Sequence, residues 1–327
     1  MSASSLTPIG SRLAGTLPGR LLRRMSGEAW LRGLCGGAGL VVGAALLTVI
    51  YQIIHGAWPS IHKLGLGFLV RSAWAPNLKH FGALSMLYGT AATSAIALII
   101  AVPLSLAIAV YLSMIAPRWL RMLVGPLVEM LAAIPSVILG LWGIIFFAPA
   151  VQSTIEPWLH STFGFLGIFG APQTTGLSVF TAGVVLTIMV IPIIASLSRD
   201  LFLSVPRELI DGAEALGATQ WEVIRGVVMP TTFSGVSAAV MLGLGRALGE
   251  AIAVASLIGG TVGIHLSLFE PGTSAAAQIA LEIQYIENDL QKASLYYLAL
   301  ILLAIGLTVN LLARAISSRY DVHRTVA

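Results

Sequence analysis

Apolar residues run through this chain in blocks of about twenty, the length a helix needs to cross the hydrocarbon core of a bilayer. Six such blocks stand out: Leu34–Ile54, Ala91–Ile115, Pro126–Val151, Gly176–Leu197, Gly235–Gly259 and Leu295–Ile316. Charged residues fall almost entirely between them. Neither Asn-Gly hairpin turns nor alternating ten-residue strands appear, so a β-barrel does not fit. Helices satisfy their own backbone groups, as lipid demands. The pattern predicts an all-α integral membrane protein with six transmembrane helices.

Composition agrees. Of 327 residues, 57% are hydrophobic and 10% charged, against about 25% charged in a soluble protein. The net charge of +4 does not point to nucleic acid, because the basic residues do not cluster with stacking aromatics. Their placement sets orientation instead. With a cytoplasmic N-terminus, Arg12, Arg20, Arg23, Arg24 and Arg32 lie inside. So do Arg118 and Arg121, then Arg199, Arg207 and Arg225, and finally Arg314, Arg319 and Arg324. Only Lys63, Arg71, Lys79 and Lys292 fall outside. The positive-inside rule therefore puts both termini in the cytoplasm. The organisation that follows is a basic cytoplasmic segment 1–33, a first span 34–54 and an external segment 55–90. A core of five spans, 91–316, and a tail, 317–327, complete it. The lone Cys35 has no sequence partner for a disulfide or a metal and reads as a small apolar residue of the first span.

One polar segment inside the core, 203–230, carries helix signals but cannot span. Ser204 is placed to cap a helix with Pro206 in its first turn. Leu209, Ala213 and Leu216 then share one face, and Gly217 suits the left-handed position that ends it. Thr219 and Glu222 make a capping box for a second helix, and Pro230 leads into the next span. An exposed apolar stripe with no span to bury it needs a partner. The membrane surface is a poor one, because Glu208, Asp211 and Glu214 beside the stripe would be repelled by anionic lipid.

The span after this segment contains Arg246 and Glu250, one helical turn apart. A charge at the bilayer centre costs about 2.5–3.5 kcal/mol on insertion scales. Arg246 can bind an oxyanion bidentately, and Glu250 can neutralise it when the site is empty. The competing explanation is an ion pair that only fixes helix packing. Glu129 is a third charge, near the cytoplasmic end of its predicted span, with Pro135 and Ser136 following; it either snorkels to the interface or partners Arg246 or a companion subunit. The external stretch 58–89 carries Trp58, Trp74, Phe81 and Tyr88, suited to an interfacial lid. Residues 261–293 carry Glu270, Glu282, Glu287 and Asp289, which form either a solvated face or a docking surface for an external protein.

Enzyme chemistry fails on inventory. There is no GxxxxGK[ST] loop, Leu248 breaks any GxGxxG with Gly243 and Gly245, and no HExxH or His/Cys cluster is present. No catalytic residue, cofactor or metal ligand is expected, so the energy for transport comes from another subunit or an ion gradient.

The polar segment resembles the cytoplasmic EAA-type motif of ABC-importer permeases: Asp211-Gly212-Ala213, then Gly217, then Val227-Val228-Met229-Pro230, at matching spacing. The run Gly245–Glu250 (GRALGE) is similar to the corresponding motif of phosphate-specific transport (Pst) permeases, as are Phe81–Thr90, Glu129–Gly143 and Ala182–Asp200. Together they resemble the C-type subunit of that permease pair (the PstC family) over roughly residues 75–320, with Ser85 for a usual Pro and Ala251 for a usual Thr.

The resemblance implies a type I ABC-importer (MetI-like) permease fold in a bacterial inner membrane. It implies inorganic phosphate as substrate, with Arg246, Glu250, Glu129 and Ser136 along its path. It also implies contact with an ATPase subunit through Leu209, Asp211, Gly212, Ala213, Leu216, Gly217 and Pro230. The partners are a homologous A-type permease, two ATPase subunits and an external phosphate-binding protein. The alternatives are a permease for another oxyanion and a proton-coupled secondary anion transporter with Glu129 and Glu250 as relays, although no duplicated half is visible in the sequence. A non-transporting scaffold would leave Arg246 without a reason.

Overall fold

The computed structural model describes residues 18–319, with side chains for 30–315. Arg12 and Arg324, and the outer ends of the segments 1–33 and 317–327, lie outside the described residues. Two compact units are present, Met1–His55 and Gly56–Ala327. Among the described residues the regular structure is helical, apart from isolated bridges Ala75–His80 and Gly259–Gly272. Among the described residues, six helices are long and apolar enough to cross a membrane.

Their boundaries differ from the hydropathy blocks wherever polar residues extend a helix or a proline breaks one. Helix α1 runs Pro18–Leu64 with Pro59 inside it, well past the predicted 34–54 at both ends, so the external segment begins as helix. Helix α2 spans Leu84–Ile115. The predicted block Pro126–Val151 is two helices: α3, Arg118–Ala132, and the spanning α4, Ser136–Leu166. Pro135 caps α4 in an extended conformation (φ −58°, ψ 134°), because a residue without N–H ends one helix and starts another at no hydrogen-bond cost. Helix α5, Val179–Leu203, starts at Ser178, whose hydroxyl accepts from the Thr181 N–H. The short α6 covers Arg207–Ala215. Helix α7 runs Gln220–Gly249 and is followed by α8, Ile252–Leu257. The predicted span Gly235–Gly259 is therefore a long helix broken near its outer end. Helix α9 (Ala275–Glu282) and α10 (Asp289–Arg319) complete the chain.

Helix α5 is the centre of the 56–327 unit. Small residues let its neighbours approach, as membrane helices require. A Cβ at Gly183 of α5 would come within 2.8 Å of Ile96 on α2, and one at Gly243 of α7 within 2.8 Å of Ile194 on α5. Val185, Leu186, Val190 and Ile194 of α5 and Val254 and Leu257 of α8 fill the space between.

Among the described residues four π-turns interrupt the helices, at Tyr111–Ile115, Gly143–Phe147, Val151–Ile155 and Ile224–Val228. Pro149 lies between the second and third, and Pro230 follows the fourth. A proline inside a helix lacks its N–H and presses on the carbonyl four residues back; the wider π-turn relieves that pressure. At Pro230 the hydroxyls of Thr231 and Thr232 donate to the carbonyls of Val227 and Val228 at 2.6 and 2.7 Å. The chain thus passes Pro230 as one helix.

The external segments form a second packed core in place of a lid. Phe81 is buried and meets Trp74 edge-on, and Phe68 stacks on Tyr297. Glu282 accepts from Trp74 Nε1 (2.7 Å), Gln278 Nε2 (2.6 Å) and Gln291 Nε2 (3.0 Å). Glu270 accepts from Gln173 Nε2 at 3.1 Å. Of the four external acids, these two are internal ties; Glu287 and Asp289 are exposed.

Candidate functional site

Arg246 lies in the last turn of α7 and Glu250 just beyond its end, in an extended conformation (φ −73°, ψ 118°). Arg246 Nη2 is 3.4 Å from Glu250 Oε2; the arginine side chain is 45% exposed and the glutamate 5%. The other carboxylate oxygen accepts from the Ala253 N–H at 3.4 Å, in the first turn of α8. The break explains how the pair is tolerated. The cation sits at the C-terminal end of one helix and the anion at the N-terminal end of the next, each where the helix dipole favours its sign. Glu250 is held on both oxygens, while Arg246 keeps an open face. A half-exposed guanidinium whose position is fixed by a buried carboxylate can offer a second oxyanion two parallel donors.

Ser136 opens α4, and α4 packs along α8. A Cβ at Gly140 of α4 would lie 3.2 Å from Ala253 Cα, and one at Gly143 2.8 Å from the Leu257 side chain. The two helices therefore run side by side in the same direction. Glu129 is elsewhere. It lies on α3, outside the spanning helix, and pairs with Arg199 Nη2 at 2.8 Å. The expected alternative of Glu129 as partner to Arg246 is corrected: its partner is on α5. Arg199 also binds Asp200 Oδ1 at 2.8 Å and rests against Gly125 of α3. Sequence reasoning assigned Arg199 to orientation alone. The signal that could have found it is its glycine contact, which only the fold reveals.

Helix α6 begins after Pro206, which takes the cap position assigned above to Ser204. Ser204 closes α5 instead, its hydroxyl donating to the Leu201 carbonyl at 2.7 Å. Ile210 and Ala213 turn inward, toward the cluster of Phe202, Val205, Val223 and Val228. Leu209, Asp211, Gly212 and Leu216 are left outward, with Leu216 91% exposed. Gly217 is left-handed at φ 87°. Thr219 and Glu222 form the capping box: Glu222 Oε2 accepts from the Thr219 N–H at 2.7 Å.

Gly212 sits between Leu209 and Leu216 on the outward face, and a Cβ there would meet nothing within 4 Å. Gly212→Ala is therefore expected to stabilise α6 by about 1 kcal/mol. Slower hydrogen exchange of the segment's backbone amides in the variant is the check.

Six spans and a loop built around an outward leucine pair define a membrane permease component. A family model described as "Binding-protein-dependent transport system inner membrane component" matches residues 101–322. The phosphate transport system permease protein PstC of Pasteurella multocida is 45% identical over 84% of this chain and 87% of its own length. That of Haemophilus influenzae is 44% identical over 84% and 88%, and that of Mesorhizobium japonicum 42% identical over 87% and 88%. A solved bacterial alginate ABC transporter chain superposes with a TM-score of 0.59 at 16% identity, covering 90% of this chain and 98% of its own. A methionine ABC transporter chain gives 0.52 at 21% identity, covering 79% and 98%. These two likenesses show the fold. The chain belongs to the PstC family of phosphate transport system permease proteins. It is a multi-pass inner membrane component of an ABC importer.

Proposed function

We propose that this chain forms half of the membrane path of an ATP-driven inorganic phosphate importer. A homologous A-type permease supplies the other half, an external phosphate-binding protein delivers the ion, and two ATPase subunits drive the cycle. The chain itself binds no ATP and needs no cofactor. The observation that carries the reading is the half-exposed Arg246 held by buried Glu250 at a helix break. A transported oxyanion needs positive compensation that is weak enough to release it, and a cation already shared with a carboxylate meets that need. Asp211, Gly212, Leu209, Leu216 and Gly217 form the surface that an ATPase subunit grips. Helix α7 starts at the capping box beside that surface and ends at Arg246, about 40 Å away along its axis. Force at one end reaches the other through continuous helix.

The proton-relay alternative loses support from the placement of Glu129, which lies on α3 and pairs with Arg199 of α5, not with Glu250. The test is ATP-dependent uptake of radioactive phosphate by the reconstituted complex, with arsenate and sulfate as competitors. Phosphate and its isostere arsenate are expected to compete; stronger competition by sulfate would assign another oxyanion. Uptake that survives ATP depletion would establish gradient coupling instead.

A further inference from the structure

A groove between the cytoplasmic ends of α5 and α10 and the middle of α7 has no part in the path described above. It encloses about 800 Å³, within the size range of ligand sites. Helices α5 and α10 run toward the cytoplasm and α7 runs away from it, so its lining sorts by depth. Ser204, Gly235 and Arg314 form the cytoplasmic rim. Asn310 lies one turn deeper, and Leu197, Met241 and Leu242 line the inner end. From rim to floor the order is cation, amide, hydrocarbon. That is the order of phosphate, ester carbonyl and acyl chain in a membrane phospholipid.

The groove's cation is Arg314. Asp200 also lines it, with its Oδ1 turned to Arg199 Nε and Nη2 at 3.0 and 2.8 Å, an arginine it shares with Glu129. Among the described residues Arg314 has no acidic partner within ion-pair distance. Basic pockets between spanning helices on the cytoplasmic side are where anionic headgroups bind. A protein helix is a poorer occupant. The notch it would need, at Gly235, is filled by Leu201 of the same chain, whose Cδ2 would be 2.7 Å from a Cβ there. Ala239 and Ala313 are already buried.

We propose that this groove binds one anionic phospholipid of the inner leaflet, with its phosphate on Arg314, its ester on Asn310 and an acyl chain between α5 and α7. The site stands on the groove alone and is independent of what the complex transports.

The test uses the whole complex in phosphatidylcholine vesicles carrying a trace of phosphatidylglycerol with a photoactivatable diazirine acyl chain. A parallel sample carries the same probe on phosphatidylcholine. After irradiation, labelled peptides are mapped by mass spectrometry. The phosphatidylglycerol probe is expected to label the Met241–Leu242 peptide preferentially, and Arg314→Gln to cut that labelling about fivefold. Ala238→Phe, which fills the groove from α7, removes the label without touching Arg314. Equal labelling by both probes, unchanged in Arg314→Gln, would mean ordinary bilayer lipid against a helix surface and would overturn the site. So would an unlabelled peptide in a complex where Ala238→Cys cross-links to another subunit, since a protein then fills the groove.

Discussion

Arg246→Gln is expected to lower ATP-dependent phosphate uptake by roughly 10- to 100-fold in membranes where the complex still assembles. The size follows from losing a charge-assisted contact worth about 1.5–3 kcal/mol. Assembly survives because the side chain is 45% exposed and fills no core position. Glu250→Gln separates the two roles of the carboxylate. The glutamine oxygen can still accept from the Ala253 N–H, so the α7–α8 break persists, but the arginine loses its counter-charge. Tighter anion binding with slower release is the expected consequence: a lower KM for uptake together with a lower maximal rate. Glu250→Ala removes the cap too and is expected to destabilise the break itself, by about 1–3 kcal/mol for the buried Ala253 N–H left without an acceptor. Wild-type uptake in an assembled Arg246→Gln complex would return the pair to a packing role.

Much of this was legible in the residues, and the misses share a cause. Span number, the polar segment, the left-handed Gly217 and the Thr219–Glu222 box follow from local rules that the bilayer and the backbone impose on any sequence. The break at Glu250 does not. The run from Val240 to Leu257 contains no proline and reads as continuous helix. It ends early because Glu250 gains a partner on each oxygen, Arg246 and the Ala253 N–H, and α8 gains the glycine faces of α4. The split at Pro135 was signalled by the proline itself, but hydropathy alone smeared α3 and α4 into one block, since both are apolar. Glu129 was drawn into the membrane by that error. The pairing of Arg199 with Glu129 needed two helices distant in sequence to meet at Gly125, which no periodicity within either one reports.

Gly217→Val is expected to detach the ATPase subunit and abolish uptake, while Gly217→Asn keeps most of both. A Cβ at position 217 would meet nothing within 4 Å, so bulk is not the obstacle within this chain. The obstacle is φ 87°, which a β-branched residue adopts only at a cost of about 1–3 kcal/mol. Asparagine tolerates that region. If valine pulls φ negative, two bonds go with it: the Gly217 N–H to the Glu214 carbonyl and the Ala218 N–H to the Ala213 carbonyl. Those bonds set the angle between α6 and the start of α7. Without them Leu209 and Leu216 on α6 no longer face the same way relative to Trp221 on α7, and the gripping surface is lost although each helix survives. Co-purification of the ATPase subunit reads this directly, and circular dichroism shows whether helix content is kept. Equal loss in the valine and asparagine variants would instead place the ATPase against the bare glycine. Unchanged co-purification in Gly217→Val would separate this loop from ATPase docking altogether.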